Sequence, residues 1–390
     1  MGLFFAYLDS RFPGEGYDDC AVEHINNAIL RLAEVEVGPD LFSGVSGIAW
    51  AAEHVQRMIA ERDGDGEADG GGEGVGEPND LNRQVDQALA DLLEQSPWED
   101  PFDIVSGLAG IGVYLLSRIE RPKARQCFGL LLDRLEELAE KTEAGVTWRT
   151  SPELLLPFER RLHPEGYYNL GMAHGVPGII ALLAAALERE IAPGRVRPLL
   201  DGAVRWLVEQ KLPRGSLRED GVFPYFVAKA EQRKPGRMAW CYGDLGVSLA
   251  LAQAARALDS DRWMQEALSV AEIAATRGFE SSGVVSAGFC HGAAGAAHLF
   301  NRLAQATGAE TMRQATLAWV ERLWAYQRAG EGLERFVFAE KSLAYDSPDH
   351  QRFDLLNGPT GVALTLLALA TDIEPLWDRM FLISISPSES

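Results

Sequence analysis

Cysteine is scarce in this chain, with four residues among 390. So few thiols cannot form a disulfide framework for a fold of this length, and a reduced, cytoplasmic setting is the expectation. Positive charge is also in deficit. Lys and Arg number 36 against 57 Asp and Glu, a formal net charge of -21. That balance argues against a nucleic-acid backbone and an anionic membrane surface as partners, and weakly for a basic peptide. Long apolar runs are missing as well: none free of charge and glycine approaches the ~18 residues of a membrane span. The N-terminal MGLFFAYLDSRFPGEG has no basic region and only a short apolar run, so it does not read as a secretory signal.

Apolar residues make up 47% of the chain, enough for a large core, and one closed helical domain over 1–390 is expected. Residues 61–80 cannot join that core. They hold seven glycines, eight acids and one arginine, and are expected to form a disordered loop between two helices. Their spacing fits no EF-hand calcium loop.

Elsewhere glycine recurs in a pattern. Gly44-Val-Ser-Gly47, Gly107-Leu-Ala-Gly110, Gly175-Val-Pro-Gly178, Gly243-Asp-Leu-Gly246, Gly292-Ala-Ala-Gly295 and Gly358-Pro-Thr-Gly361 are copies of Gly-x-x-Gly, starting roughly 50 to 70 residues apart. An amphipathic helix is expected before each copy, at about 19–36, 82–95, 122–142, 195–211, 261–277 and 309–328. A more apolar helix is expected after each, at about 48–61, 111–119, 179–190, 247–258, 296–306 and 362–371. In 195–211, for example, Val196, Leu199, Leu200, Val204 and Leu207 form one buried stripe, whereas IIALLAAALERE is apolar nearly all round.

Half-buried helices alternating with fully buried ones predict an all-α protein of two concentric layers, an α/α toroid. The glycines are expected to supply positive φ and close packing where the chain turns inward. An open solenoid has a similar repeat, but these inner helices are too apolar to line an exposed concave face. Segments 143–170, 212–240 and 329–356 break the helical pattern and read as long loops or short hairpins over one rim, where substrate contacts tend to lie.

Catalytic zinc sites use three protein ligands, often Cys and His, and keep one position open. Cys241 in WCYGDLG and the pair Cys290-His291 in FCHGAAG supply such a set, and the repeat brings them to consecutive helix starts. The plainer alternative is two small core thiols and a hydrogen-bonded histidine. Cys20 and Cys127 fall in outer helices and read as idle thiols.

The fragments GMAHGVPG, RMAWCYGDLG and FCHGAAG resemble those of the lanthionine synthetase C-like family, in particular its stand-alone class I cyclases, through all six repeats. The resemblance implies an α/α toroid of seven helix pairs around one zinc ion. Six pairs are legible here, so the seventh is expected in an irregular segment or near 374–383. It implies that Cys241, Cys290 and His291 bind the zinc and that a substrate thiol takes the fourth place, deprotonated by the metal. The family's reaction adds a peptide cysteine thiol to dehydroalanine or dehydrobutyrine, forming a lanthionine or methyllanthionine thioether ring. His174 matches the family's active-site histidine, the candidate acid/base for the enolate that follows. Asp103, four residues before Gly107, matches an aspartate that orients it; otherwise it is a helix cap. Arg237, four residues before Cys241, and Tyr242 match further active-site positions, the arginine as a holder of the enolate or a peptide carbonyl. Tyr242 also reads as plain packing. Leu245 stands where the family often has proline, a change expected to affect stiffness more than chemistry. His24, His54, His163, His298 and His350 match no motif and read as surface or core residues.

The implied partners are a leader-bearing precursor dehydrated by a separate enzyme, and an export transporter. Three alternatives stay open. One is a glutathione-type thiol transferase of the same family. Another is a carbohydrate-active toroid enzyme, which needs paired carboxylates and finds only Asp103 and Asp244. The third is a zinc-bearing, non-catalytic peptide-binding scaffold.

Overall fold

A helix begins at each Gly-x-x-Gly because the chain folds back across its first turn. A Cβ built on Gly47 would lie 1.8 Å from the Leu41 carbonyl oxygen, and one on Gly295 would lie 1.8 Å from that of Phe289. No side chain fits in that gap. The computed structural model describes residues 1–63, 80–213, 221–229, 233–327, 336, 338 and 354–385. Among the repeat glycines, positive φ occurs only at Gly243, at +100°. Close approach, rather than the expected left-handed backbone, is what the motif chiefly requires. Each inner helix accordingly starts three residues earlier than expected, because the second glycine sits inside the first turn.

The chain divides into two compact units, Met1–Asp100 with Ile104–Glu137, and Pro101–Asp103 with Leu138–Ser390. The first contains α1 (Gly2–Arg11), α2 (Tyr17–Arg31), α3 (Val45–Asp63), α4 (Arg83–Leu93), α5 (Leu108–Ser117) and most of α6 (Pro122–Leu138). Helix α1 was not expected. It buries Leu3, Ala6 and Tyr7, and packs on α2 and α3. The acidic loop expected over 61–80 starts as the last turn of α3, and residues 64–79 lie outside the described residues. Cys127 is buried in α6, where burial pushes its thiol up to about 11; Cys20 on α2 is half-buried. His24 stacks on Phe5, and His54 stacks on Trp50 and bonds to the Tyr7 hydroxyl at 3.0 Å.

An ion network joins the helices of this unit. The Arg118 side chain, 1% exposed, meets Asp86 at 2.9 Å, Asp80 at 2.6 Å and Glu53 at 2.5 Å. The Tyr114 hydroxyl donates to Asp86 at 2.6 Å.

In the second unit, α8 (Val176–Glu188), α10 (Asp244–Leu258), α12 (Ala293–Thr307) and α14 (Pro359–Ala370) follow their glycine motifs and are buried over most of their length. Outer helices α9 (Pro193–Val208), α11 (Asp261–Thr276) and α13 (Glu310–Ala325) bury one stripe each. Helix α10 packs on α8, α11 and α12, and α12 packs on α13 and α14. The irregular segments supply two small antiparallel ladders. Strand β1 (Ala139–Lys141) pairs with β2 (Val146–Trp148), and β3 (Tyr168–Asn169) with β4 (Phe226–Val227). The short helix α7 (Pro157–Leu162) stands between the ladders, followed by His163, which packs against Tyr167 and Phe226. Most of 329–356, with His350, lies outside the described residues.

Outside the six pairs and the irregular segments, the described residues add α1 and a 3-10 turn at Leu376–Phe381, inside the 374–383 stretch. That turn anchors a buried polar cluster. Asp378 accepts from His298 at 3.0 Å and pairs with Arg302 at 2.8 Å. Burial pushes the His298 ring down, so it stays neutral beside the arginine.

Replacing Arg118 by methionine is expected to take the cation from Asp80 and Asp86 and leave Glu53 with Arg57 alone, and to lower unfolding stability by about 3–5 kcal/mol, read from the urea midpoint at constant m-value.

Candidate metal centre and acid–base pair

Both candidate ligand cysteines stand two residues ahead of a repeat glycine, and at that place backbone hydrogen bonds join neighbouring repeats. The Ala173 N–H donates to the Cys241 carbonyl at 3.3 Å, the Cys241 N–H to Cys290 at 3.4 Å, and the Cys290 N–H to Leu356 at 2.7 Å. All four residues precede their glycine by two. Within the first unit, Phe42 bonds to Val105 at the same place, at 3.5 Å. The next residue along, immediately before the glycine, is His174, Tyr242 or His291 in successive repeats. The repeat thus aligns thiols in one row and imidazoles with a phenol in the next.

Two aromatic residues hold the thiol row from behind. Trp240, just before Cys241, donates its indole N–H to the Phe381 carbonyl at 2.9 Å. Phe289, just before Cys290, packs 4.5 Å from the Phe381 ring and 5.3 Å from that of Trp377.

The donor atoms of Cys241, Cys290 and His291 lie within 4.8 Å of one another. Around a tetrahedral zinc, with bonds of about 2.1–2.3 Å, such atoms stand about 3.5 Å apart, a separation that small side-chain rotations reach. Cys241 is 7% and Cys290 9% exposed, and His291 is half-buried, so one face of the set stays open. The donor chemistry and the spacing both fit a zinc ion. A hydrogen bond from Cys290 holds the Cys241 thiol well below its ordinary value, helped by His291 and by the Arg237 charge. The same contact pushes Cys290 well up. Two buried thiols without a cation share one negative charge; a divalent cation removes that restriction.

Next to the thiols, His174 Nδ1 meets Asp103 Oδ2 at 2.7 Å. The carboxylate fixes Nδ1 as the protonated nitrogen and leaves Nε2 for the site. Burial works against the charged ring, but the Asp103 hydrogen bond and charge, with that of Cys241, outweigh it and raise the pKa. Its side chain is 38% exposed, so a substrate can reach it. Asp103 belongs to the short Pro101–Asp103 segment of the second unit. Asp40 and Asp354 occupy the same place in their repeats, four before the glycine, and cap their own turns through Ser43 N–H and through Leu356 and Asn357 N–H. Asp103 is the member of that set turned to a histidine.

Arg237 lies over the Tyr225 ring at 5.9 Å, and its charge acts on both thiols. Tyr242 packs 5.5 Å from Tyr225 and 6.2 Å from His174, centroid to centroid. Its hydroxyl accepts from the Asn169 amide at 3.1 Å, so it is more than packing. Neither Asn169 nor Tyr225 was expected. Asn169 stands six residues before its glycine, the place Arg237 holds in the next repeat, and that alignment was the available signal. Leu245 is buried in the first turn of α10.

Asp244 offers no second carboxylate to Asp103. Fully buried, it accepts from the Val222 and Phe223 N–H groups at 3.0 Å and stands 3.5 Å from Arg277, and burial pushes it up to about 6. It is occupied in holding the 221–223 backbone, which removes the support for a carbohydrate-active site.

A solved structure of nisin cyclase superimposes with a TM-score of 0.75 at 20% identity, covering 98% of this chain and 89% of that one. The fold is an α/α toroid. The lanthionine synthetase C-like family model matches residues 72–382, and the chain belongs to that family. Nisin biosynthesis protein NisC of Lactococcus lactis subsp. lactis is 27% identical over 238 residues, 57% of this chain and 56% of that protein. The chain thus aligns with little more than half of that relative. Glutathione S-transferase LANCL1 of Danio rerio is 29% identical over 313 residues, 79% of this chain and 68% of that protein. No helix among the described residues is long and apolar enough to cross a membrane.

Replacing Asp103 by asparagine is expected to lower the His174 pKa, because the supporting charge goes while burial stays. Titration of the ring by NMR, with the wild type alongside, reads the direction.

Proposed function

We propose that this chain is a zinc-dependent lanthionine synthetase, which adds peptide cysteine thiols to dehydroalanine or dehydrobutyrine and closes (methyl)lanthionine rings. The observation that carries the reading is the set Cys241, Cys290 and His291, gathered from adjacent repeats beside the His174–Asp103 pair. Cys241, Cys290 and His291 would hold one zinc per chain. Zinc bound there would lower the pKa of an incoming thiol into the range where it is a nucleophile.

The side chains account for the rest. As sulfur bonds to the β-carbon, the π electrons move toward the acyl oxygen, where Arg237 and Tyr242 offer charge and a hydrogen bond. His174, protonated and steadied by Asp103, delivers its proton to the α-carbon and leaves the thioether. Since His174 must start protonated, the rate falls as pH rises through its raised pKa. In Asp103→Asn that descent is expected at lower pH, read from kcat/KM against pH.

The substrate is a leader-bearing precursor, dehydrated by a separate enzyme and passed to an export transporter. A reducing cytoplasm suits the four free cysteines.

The longer alignment with the Danio rerio protein favours a second reading, in which glutathione is the thiol donor. The two separate on a dehydrated peptide incubated with glutathione, with and without its own cysteines. Loss of peptide thiols at constant mass supports the cyclase, and a mass gain of one glutathione supports the transferase. A non-catalytic scaffold gives neither, and the presence of His174 speaks against it.

Zinc content tests the reading first. About one zinc per chain is expected in wild type, and a large loss in Cys290→Ala purified in parallel. Folded wild type without zinc would sink the mechanism.

A further inference from the structure

Asn169 lies in β3, held by the β3–β4 ladder opposite Phe226. The residue is 3% exposed, and both ends of its amide are committed. The Gly171 N–H donates to Oδ1 at 2.8 Å. That contact fixes the orientation of the amide, since the flipped form would set two donors face to face. The amide nitrogen therefore points at Tyr242 and donates to its hydroxyl oxygen. A hydroxyl that accepts from an amide N–H turns its own hydrogen elsewhere.

The tyrosine ring is also confined. Tyr225, next to β4, packs against it at 5.5 Å. The Tyr225 backbone is tied to β3 by the Leu170 N–H at 3.0 Å. The chain leading into β4 is pinned where Asp244 takes the Val222 and Phe223 amides. Ring position and hydroxyl direction are thus set by separate groups, on a side chain half-buried beside His174.

We infer that Asn169 is a positioning residue: by donating to Tyr242 it commits that hydroxyl as a hydrogen-bond donor toward the acyl oxygen of an α,β-unsaturated amide. This rests on the reading given under Proposed function. It also makes a specific statement about the electrophile, which must carry a carbonyl conjugated to the double bond.

Asn169→Asp is the sharpest test. It keeps an acceptor for Gly171 and presents an oxygen, in place of N–H, to Tyr242, so the hydroxyl hydrogen turns toward it. Asn169→Ala is made alongside, and carries the test should the aspartate variant fold poorly by circular dichroism. Each is expected to lower kcat about 10- to 100-fold with KM for the dehydrated peptide within about twofold, as for a group used at the transition state. In the Tyr242→Phe background neither is expected to cost more than Tyr242→Phe alone. An equal loss in both backgrounds would overturn the inference, since Asn169 would then act other than through the hydroxyl.

A readout without turnover separates this inference from the reading beneath it. A cysteine-free dehydroalanine peptide, labelled with carbon-13 at its carbonyl, is bound to wild type and its stretch recorded by infrared. A downshift in wild type that disappears in Asn169→Asp and in Tyr242→Phe supports the inference, even if the protein closes no ring. An unchanged stretch across the three overturns it, even if wild type is a cyclase. Failure of the peptide to bind wild type overturns both.

Discussion

The site rests on one backbone hydrogen bond, from the Cys241 N–H to the Cys290 carbonyl. It belongs to a row within the second unit, in which Ala173 donates to Cys241, Cys241 to Cys290 and Cys290 to Leu356, each two residues before its glycine. Residues at that place are neighbours whatever their distance in sequence, so any two consecutive repeats that carry cysteine there bring the thiols together. The adjacent row explains the imidazoles and the phenol in the same way. A Cys-Cys-His set made from residues dozens of positions apart therefore needs no dedicated loop, only a repeat whose helix starts keep register. The second glycine keeps that register, because any side chain at Gly295 would meet the Phe289 carbonyl and push Cys290 away.

Each unit buries a cluster of paired charges. Arg118 takes three carboxylates in the first unit, while Asp378 takes His298 and Arg302 in the second. Such clusters contribute little net stability compared with an apolar core, but removing one member leaves an uncompensated charge. They act as fixed points between helices whose packing surfaces are otherwise smooth rows of alanine and leucine. At the candidate metal centre the logic differs, since two thiols in one buried place leave a charge requirement that the protein's own groups meet only in part.

Much of this organisation was legible because it repeats. The six glycine motifs placed the six helix pairs to within a few residues, and the shared place of Cys241 and Cys290 gave the thiol pair from the residues alone. His174 and Asp103 were reached through resemblance, and the 2.7 Å contact between them gives that match a physical content. Legibility failed where no period operates. Strands β3 and β4 are two residues each and pair across more than 50 positions, too short for an alternating pattern, so Tyr225 carried no signal of meeting Tyr242 and Asn169 carried only its alignment with Arg237. Helix α1 reads as a flat apolar run, and its buried face shows only once α2 and α3 lie against it. Arg118, at the end of an apolar helix, resembles any solvated cap until its three acids are in place.

The aromatic brace under the thiols also has a consequence in time. Trp377 and Phe381 are translated more than 80 positions after Cys290, and farther still after Cys241. While the ribosome works through the intervening helices, the Trp240 indole lacks the Phe381 carbonyl and the Phe289 ring lacks those of Trp377 and Phe381. The candidate metal centre is thus a late product of synthesis. The nascent chain holds its ligands for some time before it has the wall against which to close them.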